Sequence, residues 1–157
     1  MNTSLSEIEK KTVPISQYMQ SLEQPFRKKF LTRKRDYRLR LEATSRLAGF
    51  AKDYALVVFS AQWCKDCATN IPVLALMSEA TGINVRVFGG LKKDPLSQTH
   101  KWRIPPSPPE VEAFHVDKIP TIIVISKEGR EIGRIVENPK FAPTLEQEIC
   151  EIIKSQQ

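Results

Sequence analysis

The chain has 157 residues, of which 41% are hydrophobic and 27% are charged, and its formal net charge is +6 at pH 7. This length suits one domain with a sizeable core plus an appendage, and the longest apolar runs have the length of a strand, which argues against a transmembrane helix. Residues 1–11 are polar and contain no hydrophobic segment typical of a signal peptide, so a cytoplasmic, reducing location is the expected one.

The first 50 residues are expected to form a helical extension that packs on the core. A short helix is predicted over residues 15–23, with Ser16 near its start, and Pro25 suits the first turn of a second helix. Beyond Pro25, apolar side chains recur at spacings of four and seven, which predicts a buried helical stripe. The stripe consists of Phe26, Phe30, Tyr37, Leu41 and Ala48.

The second predicted helix also carries most of the net charge. Its basic residues are Arg27, Lys28, Lys29, Arg33, Lys34, Arg35, Arg38, Arg40 and Arg46, opposed by Asp36 and Glu42. Such a helix is most often a solvated face, but it can also bind an acidic partner protein, a nucleic acid or a membrane surface. Nucleic acid is the weaker alternative, because no zinc-finger, recognition-helix or RNA-binding signature accompanies the charge.

Residues 63–67, with the sequence Trp-Cys-Lys-Asp-Cys, are the strongest chemical signal in the chain. The preceding run, residues 55–60, is short, apolar and β-branched, which predicts a buried strand, and the apolar residues after the motif recur at helical spacing. The first cysteine would therefore lie at a helix N-terminus, where unpaired backbone N–H groups and the positive end of the helix dipole favour a thiolate. The second cysteine is about one helical turn on, close enough for the two sulfurs to form a disulfide.

A zinc site is the main alternative for this pair of cysteines. Zinc needs four ligands, and the other candidates are Cys150, His100 and His115, which are widely scattered. A redox pair is therefore favoured and no metal is expected. Cys150 falls on the inward stripe of the last predicted helix, where a cysteine is commonly a small buried hydrophobe.

The motif resembles the active site of the thioredoxin family, and the resemblance covers roughly residues 50–154. Pro72 falls where thioredoxins carry a kinking proline in the helix after the motif. Residues 118–121, Lys-Ile-Pro-Thr, resemble the family segment whose proline is cis and faces the cysteines. Residues 127–131 read as the turn of the family's final hairpin, and Thr144 begins a capping box that opens a last amphipathic helix.

The resemblance implies an α/β, three-layer fold with a central mixed sheet of about four strands flanked by helices. Residues 1–50 would be the helical, basic N-terminal extension and residues 51–157 the thioredoxin-like domain. A proline-rich insertion near residues 104–109 reads as a rigid surface connector or as a wall beside the active site.

The chain departs from the family pattern at Val58 and in the loop at residues 135–139, as well as in the pair between the cysteines and in the proline-rich insertion. A buried Asp that assists proton transfer in thioredoxins lies six residues before the first cysteine, and that position is Val58 here. Proton transfer at Cys67 is therefore expected to depend on water or on a group that the sequence does not identify. The loop at residues 135–139 carries no glycine, so the family's substrate preference is not transferred.

The implied activity is the reduction or exchange of protein disulfides. Cys64 would attack a substrate disulfide and Cys67 would resolve the mixed disulfide, while Trp63, Ile119 and Pro120 contact the substrate. Of the two residues between the cysteines, Lys65 should favour the Cys64 thiolate and Asp66 should oppose it, which leaves the reduction potential open.

No prosthetic group is implied, and an external thiol reductant, either a reductase or a low-molecular-weight thiol, would restore the dithiol. Two alternatives stay open. One is a binding or scaffold module on the same fold that uses the basic helix to recruit an acidic partner. The other is a glutathione-linked activity similar to that of glutaredoxins.

Overall fold

A computed structural model describes residues 4–92, 96 and 107–157. The helices and strands follow one another as α1 (Leu5–Lys11), β1 (Val13–Pro14), α2 (Ile15–Ser21), α3 (Phe26–Asp36), α4 (Leu41–Phe50), β2 (Tyr54–Phe59), α5 (Lys65–Thr81), β3 (Asn84–Phe88), α6 (Glu110–Ala113), β4 (Thr121–Ser126), β5 (Glu131–Val136) and α7 (Leu145–Lys154). His100 and residues 104–106 of the proline-rich stretch lie outside the described residues. Within the described ranges, no helix is long and apolar enough to cross a membrane.

The sheet is mixed, with the strand order β1-β3-β2-β4-β5. β2 runs parallel to β3 and antiparallel to β4, while β1 and β5 are antiparallel edge strands. The predicted α/β class with a mixed sheet flanked by helices is confirmed, and the described residues form five strands instead of about four. The additional strand, β1, is only two residues long, and so short a segment has no hydrophobic periodicity from which it could be predicted.

The core is built around β2 and α5. Residues 55–59 of β2 are all buried, because this central strand has neighbours on both edges and side chains packed on both faces. Helix α5 packs against α2, α3, α4 and α7. It holds seventeen residues, contains Pro72 and ends at Gly82, which has the left-handed conformation that favours glycine at a helix C-terminus.

The apolar stripe predicted from Phe26 to Ala48 is only partly correct. Phe30 is fully buried, but Leu41 is 84% exposed and Ala48 is also exposed. The prediction assumed one continuous helix, whereas the backbone is extended at Tyr37 and a new helix begins at Leu41. This break changes the register, so the inward positions of α4 are Ala43 and Leu47.

A buried carboxylate holds the break between α3 and α4 against α7. Glu146 is 0% exposed and accepts hydrogen bonds from the Tyr37 hydroxyl at 2.8 Å and from the Arg40 backbone N–H at 2.8 Å. Burial, followed by this hydrogen bond, raises the pKa of Tyr37 to about 12. The first fifty residues are thereby attached to the last helix through polar as well as apolar contacts.

We predict that Glu146→Ala lowers the free energy of unfolding by roughly 2–4 kcal/mol, because the Tyr37 hydroxyl and the Arg40 N–H lose a charged acceptor. Chemical denaturation of the two proteins measures the difference. Glu151→Ala is the matched control, since that side chain lies on the same helix and is 68% exposed. Equal stability of the Glu146→Ala variant and the unmodified protein would show that the carboxylate does not anchor this segment.

Candidate active site

The two cysteines of the motif lie where the central strand passes into the longest helix. β2 ends at Phe59, and Cys64 is the N-cap residue of α5. The Cys64 sulfur accepts a hydrogen bond from the backbone N–H of Cys67 at 3.2 Å, which satisfies one of the free N–H groups of the first helical turn. Both cysteines are free thiols in this structure.

The two thiols have different surroundings. Cys64 is 8% exposed, whereas Cys67 is 0% exposed. The pKa of Cys64 is lowered, chiefly by a hydrogen bond from the Cys67 side chain and further by the backbone N–H groups of Cys67 and Asp66, against burial and the Asp66 charge. The pKa of Cys67 is raised, first by burial and then by its hydrogen bond with Cys64. The arrangement favours a thiolate at Cys64 and a protonated thiol at Cys67.

The segment before β4 faces the cysteines because of the sheet register. Thr121 pairs with Phe59, so the residues just before Thr121 lie beside the residues just after Phe59. The Ile119 carbonyl accepts a hydrogen bond from the Cys64 thiol at 3.6 Å, and the Ile119–Pro120 peptide bond is cis. Ile119 and Pro120 are therefore brought together with the cysteines.

Trp63 forms one side of the site. Its indole N–H donates to the carbonyl of Leu91 at 3.3 Å, while the side chain is 49% exposed. It borders an open cavity of about 380 Å³ that Tyr18, Leu22 and Lys92 also line. An exposed aromatic face beside a reactive thiol offers apolar contact area to an incoming chain.

The loop after β5 is held against the site by Asn70, which the sequence analysis did not identify. The Asn70 side-chain amide donates to the Glu137 carbonyl at 2.8 Å, to Asn138 Oδ1 at 2.9 Å and to the Asp66 carbonyl at 2.9 Å. Glu137 adopts a left-handed conformation, with φ of 68°, and its N–H donates to the Pro120 carbonyl at 2.7 Å. An asparagine on the helix after the motif was the available signal, but its partners lie far away in the sequence.

Cys67 has a further neighbour in Ser60, which the sequence analysis also missed. Val58 is buried between Val87 and Ile122 and offers no titratable group. Ser60 lies two residues beyond it, is 0% exposed, and its hydroxyl lowers the pKa of Cys67 against the effect of burial. A polar residue at the end of an apolar strand could have indicated this contact.

The remaining candidate residues lie apart from this cluster. Cys150 is buried on α7, where burial raises its pKa, and it borders a groove with Leu41 and Phe141. Lys65 and Asp66 occupy the first turn of α5. In the described part of the chain, no group of three or more His, Cys, Asp or Glu side chains is arranged to hold a metal ion.

Solved structures with a similar fold were found at low sequence identity. A protein of unknown function from Pseudomonas aeruginosa is 17% identical with a TM-score of 0.75, and the match covers 99% of both chains. An HIV epitope-scaffold is 15% identical with a TM-score of 0.72, covering 98% of this chain and 99% of that one. The exposed lipoprotein thioredoxin of Streptococcus pneumoniae is 18% identical over 69% of this chain and 89% of its own, with a TM-score of 0.45.

No curated protein matches the chain. A family model described as thioredoxin matches residues 12–105, which is more than half of the sequence. This range begins within the helical N-terminal segment and includes both cysteines of the motif. The chain belongs to the thioredoxin family.

Proposed function

We propose that this protein is a thiol-disulfide oxidoreductase that reduces or exchanges protein disulfides through Cys64 and Cys67. The observation that carries the proposal is the difference between the two thiols. Cys64 has a lowered pKa and a small exposed fraction, whereas Cys67 is fully buried and has a raised pKa. A dithiol of this kind can attack a substrate with one sulfur while the other stays protonated until the mixed disulfide has formed.

The reaction takes place in two exchanges. In the first, the Cys64 thiolate attacks a substrate disulfide, a Cys64–substrate bond forms, and the other substrate sulfur leaves and takes up a proton. In the second, Cys67 loses its proton and attacks the Cys64 sulfur, which releases the second substrate thiol and leaves a Cys64–Cys67 disulfide. The substrate gains two electrons and two protons, and an external thiol reductant restores the dithiol.

The hydrogen bonds at Ile119 and Pro120 support a specific position for the substrate chain. The Pro120 carbonyl already accepts from Glu137, but the Ile119 carbonyl accepts only the weak hydrogen bond of the Cys64 thiol among the contacts described here. When Cys64 loses its proton, it no longer donates to Ile119. That carbonyl can then accept an N–H from an extended substrate, in the manner of an added strand.

The exposed basic residues of α3 support an additional binding role. Arg33 and Lys34 contact α5, where they bind the Thr69 carbonyl and the Glu79 carboxylate. Lys28 and Lys29, in contrast, are exposed. An acidic partner or substrate protein would therefore meet Lys28 and Lys29 first, and their charge would raise its encounter rate.

We predict that iodoacetamide labels Cys64 first, with a pH profile whose midpoint lies below the pKa of an ordinary cysteine thiol. The lowered pKa means that the thiolate is present at a pH where an ordinary thiol is still protonated, so the rate rises earlier as pH increases. Mass spectrometry of the alkylated protein at several pH values measures this. Cys64→Ser should remove the fast phase, and preferential labelling of Cys67 would reverse the assignment.

An insulin-reduction assay tests the proposed activity directly. Cys64→Ser should abolish turnover, and Cys67→Ser should reduce it strongly while a mixed disulfide with the substrate accumulates, because no thiol remains to resolve it. Cys150→Ala is the matched control: it should keep its activity and lose about 1 kcal/mol of stability. Turnover that survives in Cys64→Ser would exclude the proposed mechanism, and glutathione as the reductant distinguishes a glutathione-linked activity.

We predict that, at low salt, the double variant Lys28→Glu/Lys29→Glu reduces an acidic protein substrate several-fold more slowly than the unmodified protein does. The difference should shrink at high salt, since salt screens charges over about 10 Å at 0.1 M. Reduction of a small neutral disulfide should be unchanged. Lys10→Glu/Lys52→Glu is the control, because it changes the net charge equally at exposed positions outside α3. An equal effect of both double variants would mean that α3 is not a docking surface.

A further inference from the structure

Two buried hydroxyl groups connect the N-terminal segment to Cys67. The Tyr18 hydroxyl, on α2, lies 2.9 Å from the Ser60 hydroxyl, and the two residues are 6% and 0% exposed. The Ser60 hydroxyl in turn acts on Cys67, where it lowers the pKa of the thiol against the effect of burial. The hydroxyls of Tyr18 and Ser60 thus form a buried polar pair whose Ser60 end lies near Cys67.

The surrounding backbone holds this pair in place. The Ser60 backbone N–H donates to the Phe88 carbonyl at 3.0 Å, which fixes the residue between β2 and the end of β3. The Tyr18 ring lies directly on Gly89, where an added Cβ would be only 2.7 Å from Tyr18 Cε1. A residue without a side chain at position 89 is what allows the ring to reach Ser60.

Formation of a thiolate at Cys67 is the difficult part of the second exchange. Burial and the interaction with Cys64 raise the pKa of Cys67, while Ser60 and the Ala61 backbone lower it. In the mixed disulfide Cys64 carries no charge, so its opposition to the Cys67 thiolate disappears, but the burial remains. The Ser60 hydroxyl and the Ala61 backbone are then the groups that stabilise the Cys67 thiolate.

We propose that Ser60 is a catalytic residue of the second exchange and that Tyr18 is its positioning residue. The Tyr18 hydroxyl donates to Ser60 Oγ, and the Ser60 hydroxyl then donates to the Cys67 sulfur as that sulfur becomes a thiolate. The Cys64–Cys67 bond forms, the bond between Cys64 and the substrate breaks, and the proton of Cys67 ends on the leaving substrate thiol. This inference rests on the proposed function.

Tyr18 is suited to this role because it stays protonated. Burial is the main cause that raises the pKa of Tyr18; the hydrogen bond with Ser60 lowers it by less, and the charges of Cys67 and Cys64 raise it further. The phenol therefore remains a hydrogen-bond donor throughout the pH range in which thiols ionise. Since it turns the Ser60 hydroxyl towards sulfur, it acts on Cys67 only through Ser60.

Stopped-flow reaction of the reduced protein with one equivalent of dithiobis(nitrobenzoate) separates the two exchanges. The first thionitrobenzoate is released when Cys64 attacks, and the second when Cys67 resolves the mixed disulfide. We expect Tyr18→Phe and Ser60→Ala to keep the first rate within about two-fold and to slow the second about ten-fold, as for loss of a hydrogen bond to a charged group. The pH profile of the second phase should move to higher pH.

Tyr37→Phe is the matched control, because it removes a phenol hydroxyl that binds Glu146 instead of Ser60. It should leave both phases unchanged. The Tyr18→Phe/Ser60→Ala double variant should be no slower than Ser60→Ala alone, since Tyr18 acts through Ser60. If the two substitutions slowed the second phase independently, so that their fold-changes multiplied in the double variant, the positioning role of Tyr18 would be overturned.

The outcomes distinguish this inference from the proposed function. Absence of a first phase that depends on Cys64 in the unmodified protein would overturn the disulfide-exchange function itself. A normal first phase with an unchanged second phase in both variants would overturn the role of the hydroxyl pair alone. A normal first phase also shows that the site of the variant is intact. If Ser60→Ala does not fold, Tyr18→Phe decides the question, because it keeps the aromatic ring and removes only the hydroxyl.

Discussion

The hydrogen bond from the Cys67 backbone N–H to the Cys64 sulfur is the interaction on which the geometry of the site depends. It places the Cys64 sulfur at the positive end of α5, and the helix then turns Cys67 into the core one turn later. The two side chains thus have opposite pKa shifts, because hydrogen bonds from Cys67 and the helix N-terminus outweigh burial at Cys64, whereas burial dominates at Cys67. The Ile119 carbonyl completes the arrangement, because the pairing of β2 with β4 brings it to the same sulfur.

The parts of the site that depend on local sequence could be predicted, and those that depend on distant contacts could not. The helix after the motif, the hairpin of β4 and β5 and the N-cap at Thr144 each have a signal within a few residues, and each is present. Of the capping box predicted at Thr144, the structure shows the bond from the Gln147 N–H to the Thr144 hydroxyl, while the Gln147 side chain accepts from that hydroxyl and not from the Thr144 N–H. Asn70 has partners 67 and 68 residues away, so no local pattern could reveal its role. Leu41 was assigned to the wrong face because the break before α4 is stabilised by Glu146, more than a hundred residues along the chain.

The N-terminal segment is more closely integrated into the fold than an extension docked through one stripe would be. α3 contributes the fully buried Phe30, α2 contributes Tyr18, and β1 adds a strand to the sheet. The matched family range begins at residue 12, and the similar Pseudomonas aeruginosa structure is covered over 99% of its length. The first fifty residues thus pack directly on the sheet and on α5, the helix that carries Cys67.

The family pattern has a buried Asp at the position of Val58, whereas this chain has the hydroxyls of Ser60 and Tyr18 near Cys67. This difference changes the electrostatics of β2. Val58 lies between Val87 and Ile122 in the middle of the sheet, where an ionised side chain would have a large desolvation cost. Two neutral hydroxyls avoid that cost, because each serves as both donor and acceptor and neither must ionise. They also leave no fixed negative charge beside Cys67 to oppose its thiolate. In this chain the polar support for Cys67 therefore comes from the end of β2 and from α2, and the centre of β2 stays entirely apolar.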